Sequence, residues 1–239
     1  MTTNTMEKKK NLVFTATYNE VENIVNLVEK VFKYSPKVYL LVVDDNSPDK
    51  TYEVLKKLKS KFKRLYIKKR PNKLGLDTAH KFAFRFAKSH NFKKLITMDA
   101  DLSHNPKLLN KFIKYLNNWD FVIGSRYIKG GSCEINFFRF LLSFFGNKFI
   151  KFMLKIPSNE FTTSYRGFNL EKLKGFSLKD INSKGYSFFM ETIYLINKKN
   201  FKIKEIPIKF KNRVYGVSKI PKMEIIRTLL NVFRLKLTG

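Results

Sequence analysis

The chain has 239 residues, 44% of them hydrophobic, which fits one large α/β domain with a full core and excludes a disordered chain. Its single cysteine, Cys133, excludes an internal disulfide or a thiolate zinc cluster within one chain and points to a reducing, cytoplasmic setting. The formal net charge of +29 asks for a negatively charged partner, although the excess of Lys over Arg is also what codon bias produces, so each Arg is the more informative residue.

Residues Met1 to Lys10 carry charges with no apolar run behind them, which predicts an N-terminal tail and not a signal peptide. Apolar runs then follow at Leu12–Thr15, Val38–Val43, Leu65–Ile67, Leu95–Met98 and Phe121–Ile123. Between them the spacing predicts helices over Val21–Phe32, Thr51–Phe62, Thr78–Ser89 and Pro106–Asn117. Strands alternating with helices predict an α/β fold with a mostly parallel central sheet flanked by helices. Such sheets bind ligands at the carboxyl ends of their strands. Further on, Phe137–Leu154 and Ser187–Asn197 read as helices, Phe201–Phe210 as strand, and Lys219–Leu237 as a basic amphipathic helix. No stretch reaches about 18 uninterrupted apolar residues, so no spanning helix is expected. The division is a tail over 1–10, one domain over 11–218 and a C-terminal helix over 219–239.

The polar residues that follow the strands carry the chemistry. Thr17-Tyr18-Asn19-Glu20 comes first; Asn19 is a candidate cap for the next helix and Glu20 suits its positive end, while a functional loop here would touch a nucleotide. Asp44 and Asp45 are adjacent carboxylates that repel and need a partner: a base edge, ribose hydroxyls or a nearby Arg. Capping by Asp45 or Ser47 competes with that reading. In Asp99-Ala100-Asp101 the two acids point the same way if the segment is extended, so they suit one hard cation, Mg²⁺ or Mn²⁺, bridging a diphosphate. Arg126 follows the fifth run, and Arg70, Arg139, Arg166 and Arg213 are further candidates for phosphate oxygens, each competing with a solvated surface role. His80 and His90 read as structural or exposed; His104, just past the acid pair, stays open.

Together these segments resemble glycosyltransferase family 2, and within it the polyprenyl- and dolichyl-phosphate mannose synthases. The motifs occur in order: Thr17-Tyr18-Asn19-Glu20, Val43-Asp44-Asp45-Asn46-Ser47-Pro48-Asp49, Arg70-Pro71-Asn72-Lys73-Leu74-Gly75-Leu76, Met98-Asp99-Ala100-Asp101-Leu102-Ser103-His104, Gly124-Ser125-Arg126-Tyr127, Thr162-Thr163-Ser164-Tyr165-Arg166, Gly185 to Glu191, and Arg213-Val214-Tyr215-Gly216-Val217-Ser218-Lys219. The resemblance implies a GT-A, Rossmann-like nucleotide-binding fold. It implies that Thr17, Tyr18, Asn19, Glu20, Asp44, Asp45, Lys73, Asp99 and Ala100 hold the nucleotide-sugar, and that Asp99 and Asp101 hold Mg²⁺ or Mn²⁺. Ser103 stands at the third metal position, where relatives usually carry Gln. The resemblance also gives Arg126, Arg139, Arg213 and Lys219 the donor and acceptor phosphates. It implies an inverting transfer from GDP-mannose to a polyprenyl phosphate. Asp77 replaces a usual Gly, and Glu160 to Arg166 replaces Asp-Pro-Thr-Ser-Gly-Phe-Arg.

Besides the donor and acceptor, the expected partners are an anionic membrane surface and a small membrane-anchoring subunit, with the protein peripheral on the cytoplasmic face. Three rivals are weighed. A relative with a saccharide acceptor would need a base, for which Glu191 is the candidate. A nucleic-acid-binding protein should interleave aromatic and basic residues, and here paired acids end the strands instead, so no nucleic acid is expected. A catalytically dead scaffold is opposed by the intact Asp99 and Asp101.

Overall fold

The computed structural model describes residues 10–134, 136–211 and 224–238. Arg213 and Lys219 therefore lie outside the described residues, as does the start of the C-terminal helix expected from Lys219.

The first half is built as its hydrophobic pattern predicts. Strands β1 (Asn11–Thr17), β2 (Tyr39–Asp44), β3 (Leu65–Lys69), β4 (Lys94–Thr97) and β5 (Phe121–Ser125) alternate with helices α1 (Val21–Tyr34), α2 (Thr51–Lys61), α3 (Leu76–Ser89) and α4 (Leu109–Tyr115). The Pro106–Leu108 part of the last predicted helix is a short 3-10 turn capped by Asn105. Then come β6 (Ser132–Cys133), α5 (Phe137–Leu154), β7 (Arg166–Asn169), α6 (Gly185–Lys198), β8 (Ile203–Pro207), β9 (Lys209–Phe210) and α7 (Glu224–Thr238).

Seven strands form one sheet in the order β3-β2-β1-β4-β7-β5-β8. All neighbours run parallel except β7, which is antiparallel to both β4 and β5. The chain winds from β1 out to β3 and then returns to place β4 on the other side of β1. The switch in direction therefore falls between β1 and β4, where an open α/β sheet leaves a crevice.

Alternate side chains sort to two cores. Leu12, Phe14, Leu41, Val43 and Leu95 face α3, α6 and the inner sides of α5 and α7. Val13, Leu40, Val42 and Ile96 face α1, α2 and α4. This parity decides where the residues past each strand emerge. At Gly167 in β7, an added Cβ would lie 2.8 Å from the Leu116 side chain, so the strand needs a residue without one.

The C-terminal helices differ from the rest. On α5 only Asn147 and Ile150 are buried, while Phe138 and Phe152 are 78% and 79% exposed. On α7, Val232 and Leu235 enter the core, and Leu230 and Leu237 stay outside. Among the described residues no helix is long and apolar enough to cross a membrane.

Candidate functional site

The loops after β1 and β2 are tied together by side chains aimed at helix ends. The Asn19 N–H donates to Ser47 Oγ (3.0 Å) and the Glu20 N–H to Thr51 Oγ1 (3.1 Å). Asp49 accepts from the Val21 N–H and the Thr51 N–H, both at 3.0 Å, so one carboxylate caps α1 and α2 at once. Burial works to raise its pKa; the hydrogen bonds from Thr51 and Val21 outweigh it and hold the carboxyl below its ordinary value. The cap expected from Asn19 is thus supplied from another loop: Asn19 sits at φ 57° and α1 begins after Glu20 with no side-chain cap of its own.

The adjacent acids take separate partners. Asp44, fully buried, accepts from Thr17 Oγ1 (3.0 Å), the Ser47 N–H (3.0 Å) and Ser47 Oγ (2.5 Å). Asp45 lies on the opposite sheet face and is closed by the Arg70 guanidinium. The nearby Arg that the sequence offered as a partner for the pair is Arg70. Arg70 also donates to Thr78 Oγ1 (2.6 Å) and the Gly75 carbonyl (3.1 Å), which pins the loop before α3. Beside it the Lys73 ammonium stands 4.3 Å from the centre of the Tyr18 ring, joining two of the expected nucleotide-sugar contacts.

Past β4, Asp101 Oδ1 accepts from the Ser103 N–H (3.1 Å) and Ser103 Oγ (2.6 Å), with Leu102 at φ 62° turning the chain. Ser103, expected at the third metal position, thus has its hydroxyl on Asp101. Asp99 accepts from Ser164 Oγ (2.5 Å) and keeps 36% of its side chain exposed. His104 is fixed behind it. Its Nδ1 accepts from the Asp99 N–H (3.1 Å), which puts the ring proton on Nε2, 3.3 Å from Thr163 Oγ1. Burial holds this histidine below its ordinary pKa against the pull of Asp99 and Asp101, so it is neutral and its Nδ1 is committed. Ala100 is buried between the two acids. The donor set is all oxygen and suits a hard divalent cation. Among the described residues no group of three or more His, Cys, Asp and Glu converges.

The arginines divide. Arg126 is engaged as a fork on Glu160, Nε to Oε2 at 2.7 Å and Nη2 to Oε1 at 2.8 Å, and it also donates to Thr162 Oγ1 (2.7 Å). Burial would raise the Glu160 pKa, but the Arg126 charge and the hydrogen bonds from Arg126 and Thr162 lower it further. Arg166 is buried and donates to three carbonyls, those of Phe161, Thr163 and Phe189. Burial pulls it down to about 9, still charged at neutral pH, and it holds the 161–163 segment against α6. It is a framework cation with no path to a ligand. Arg139 lies exposed in the first turn of α5.

Glu191 is buried and accepts from the N–H groups of Asn182 (3.2 Å) and Ser183 (2.9 Å), from Ser183 Oγ, and from Arg234 of α7 (2.7 Å). Those bonds dock α7 on α6. They leave Glu191 poorly placed as the base that a saccharide acceptor would need. Glu160 is a charged residue that sequence reasoning left without a role; the signal was an acid six residues before Arg166, in a segment where Thr162, Thr163 and Ser164 lie between the buried rings of Phe161 and Tyr165.

A model described as glycosyl transferase family 2 matches residues 12–176. The polyprenol monophosphomannose synthase of Mycolicibacterium smegmatis is 33% identical over 227 residues, 94% of this chain and 86% of that one. The undecaprenyl-phosphate mannosyltransferase of Micrococcus luteus is 31% identical over 225 residues, 93% of this chain and 92% of its own. Among solved structures, a Pyrobaculum calidifontis mannosyltransferase in complex with GDP-Man and Mn²⁺ aligns with a TM-score of 0.59 and 18% identity, over 96% of this chain and 64% of its own. Glucosyl-3-phosphoglycerate synthase from Mycobacterium tuberculosis, in complex with Mn²⁺, UDP and glucosyl-3-phosphoglycerate, aligns with a TM-score of 0.63 and 14% identity, over 96% and 79% of the two chains. At these identities the structures establish the fold, which is the GT-A fold.

Proposed function

The chain belongs to glycosyl transferase family 2, and on that premise we propose that it transfers mannose from GDP-mannose to a polyprenyl phosphate at a membrane surface, inverting the anomeric carbon. The observation that carries the reading is Asp99, held by Ser164 and His104 at the end of β4 beside the switch point, with a third of its side chain open. Two relatives over nearly the whole chain act, by their names, on prenyl phosphates.

In this reading Asp99 and Asp101 hold the divalent cation, and the loops bearing Thr17 to Glu20, Asp45 and Lys73 seat the nucleotide. Bound there, the cation neutralises charge on the departing nucleoside diphosphate. Arg139, Arg213 and Lys219 attract the acceptor phosphate. Arg126 acts through its fork on Glu160, shaping the Thr162–Ser164 segment that holds Asp99. An oxygen of the lipid phosphate forms the new bond to the anomeric carbon as the bond to the diphosphate breaks. That phosphate is already ionised at neutral pH, so no base is required, consistent with the engagement of Glu191.

The outer faces of α5 and α7 suit the lipid side. Phe138, Leu142, Phe145, Phe152, Leu230 and Phe233 are exposed, and the Phe149 and Phe233 rings, 6.4 Å apart, join the two helices. Such a face is large for a protein in water alone, and Arg139, Lys148, Arg227 and Lys236 add cations for anionic headgroups. A position on the cytoplasmic face follows from the donor, and a small anchoring subunit would reinforce it.

The test is transfer of labelled mannose from GDP-mannose into anionic liposomes carrying a polyprenyl phosphate, with Mn²⁺. A lipid-soluble, phosphate-linked mannoside of inverted configuration is expected, abolished by EDTA. The protein should float with the liposomes at low salt and release at about 1 M, where the Debye length is near 3 Å. Transfer to a saccharide and none to the lipid overturns the acceptor; no flotation at low salt overturns the membrane surface.

A further inference from the structure

The carboxylate of Asp77 is left over by everything described so far. It is 7% exposed and makes no hydrogen bond or ion pair among the described residues. It does not cap its own helix: α3 begins after Gly75 with no side-chain cap bond, and Asp77 is its second residue. Its oxygens are not among the polar atoms sealed from water without a partner, so they meet the solvent at the positive end of the helix. A nearly buried acid whose oxygens meet only solvent is placed to receive a partner that arrives from outside.

Its place in the fold says which. Asp77 heads the buried stripe of α3 that continues through His80, Phe84 and Ala87. One turn on, the His80 ring packs edge-on against Phe14 of β1, at 5.0 Å between centroids. The helix lies between β3 and β4 in the chain and returns across the sheet, so its first turn stands at the carboxyl ends of the strands. That end of the stripe overlies the crevice between β1 and β4, on the face where strand parity delivers Asp45 and Asp99. The loop before it is rigid, since Arg70 is spent on Asp45, Thr78 and the Gly75 carbonyl. A Cβ on Gly75 would lie 3.2 Å from Asp77 Oδ1, so the carboxylate is held close against that loop.

We propose that Asp77 is a specificity residue for the donor, its carboxylate accepting hydrogen bonds from hydroxyl groups of the nucleotide-sugar in the β1–β4 crevice. The assignment rests on the nucleotide-sugar reading of the preceding section. A carboxylate repels phosphate and accepts two bonds side by side, which matches vicinal hydroxyls. Both the ribose and the hexose of a nucleotide-sugar offer such a pair.

The test compares wild type with Asp77→Asn and Asp77→Ala by calorimetric titration of GDP and of GDP-mannose in Mn²⁺, and by melting without ligand. In Asp77→Ala, GDP-mannose should bind about tenfold more weakly or worse, the scale of a lost hydrogen bond to a charged group. Asp77→Asn, which keeps shape and one acceptor oxygen, should lose less. The ligand-free melting temperature should hold, because the carboxylate makes no hydrogen bond or ion pair among the described residues that the substitution would remove. Equal weakening of GDP assigns the ribose hydroxyls; weakening of GDP-mannose alone assigns the sugar. Unchanged binding of both ligands by both variants overturns the proposal, and a lowered melting temperature with unchanged binding returns Asp77 to a helix-end role. A wild type that binds neither ligand sinks the donor reading itself, and this assignment with it.

Discussion

Past β4 and past β5 the chain sets charged groups at the same end of the sheet, and the two sets are treated in opposite ways. Arg126 and Glu160 close on each other as a two-pronged pair, their side chains 10% and 0% exposed. Asp99 and Asp101 receive hydroxyls and backbone N–H groups, and Asp99 remains 36% exposed. A closed ion pair inside a protein answers to the fold, since either half alone is expensive. Asp99, by contrast, stays partly in contact with solvent, where in the proposed reading a cation reaches it. In the proposed reading the difference separates the part of the site that shapes from the part that binds.

The comparison breaks if activity and stability fail to separate between the two sets. Asp101→Asn should cut transfer by about a thousandfold or more, on the scale of lost electrostatic stabilisation at a reacting centre, while the melting temperature stays where it was. Near-normal turnover of that variant in EDTA would remove the metal role. Glu160→Ala should show the reverse ranking. Leaving Arg126 buried without its carboxylate should cost about 3–5 kcal/mol of stability, read by denaturant unfolding. A variant that unfolds at the wild-type midpoint but loses activity would move Glu160 into the binding set.

A smaller effect sharpens the same line through pH. Burial, with a lesser push from the Arg166 charge, pulls His80 down to about 3 from an ordinary 6.5. Between those values the unfolded chain takes a proton that the folded chain refuses. Stability contributed by the neutral ring is therefore complete above 6.5 and falls by about 1.4 kcal/mol per pH unit below it. Glu160 adds in the same direction at lower pH, because its depressed carboxyl loses its contribution as pH falls through the carboxylate range. His80→Phe should flatten the slope of unfolding free energy between pH 6 and 4 (roughly the span below the free imidazole value). An unchanged slope would mean that the ring is not kept neutral by the core.

Much of this was legible in the residues and some was not, for physical reasons. The parallel half shows in its apolar runs because β1, β2, β4 and β5 are buried on both faces, with only the edge strand β3 partly exposed. β7 does not show: Arg166-Gly167-Phe168-Asn169 has one large apolar residue, its arginine is satisfied by carbonyls, and its glycine is required by Leu116. The acids at strand ends stood out, but their partners lie far off in sequence. Asp45 meets Arg70, Arg126 meets Glu160 and Glu191 meets Arg234. No local pattern reveals which of several arginines a fold will consume. The double cap by Asp49 escaped for the same reason, since half of it serves a helix that starts 28 residues earlier.

The antiparallel strand also has a consequence for how the chain is made. On the ribosome β1 to β4 can assemble as a four-stranded unit once Thr97 has emerged, but β4 then presents an open edge until Asn169 follows. At about 5–20 residues per second, the roughly seventy residues between them take on the order of 4–15 seconds. For that interval an apolar strand edge is available to other chains. Within that interval the chain also produces α5, so its exposed phenylalanines and the open edge of β4 are presented together until β7 arrives.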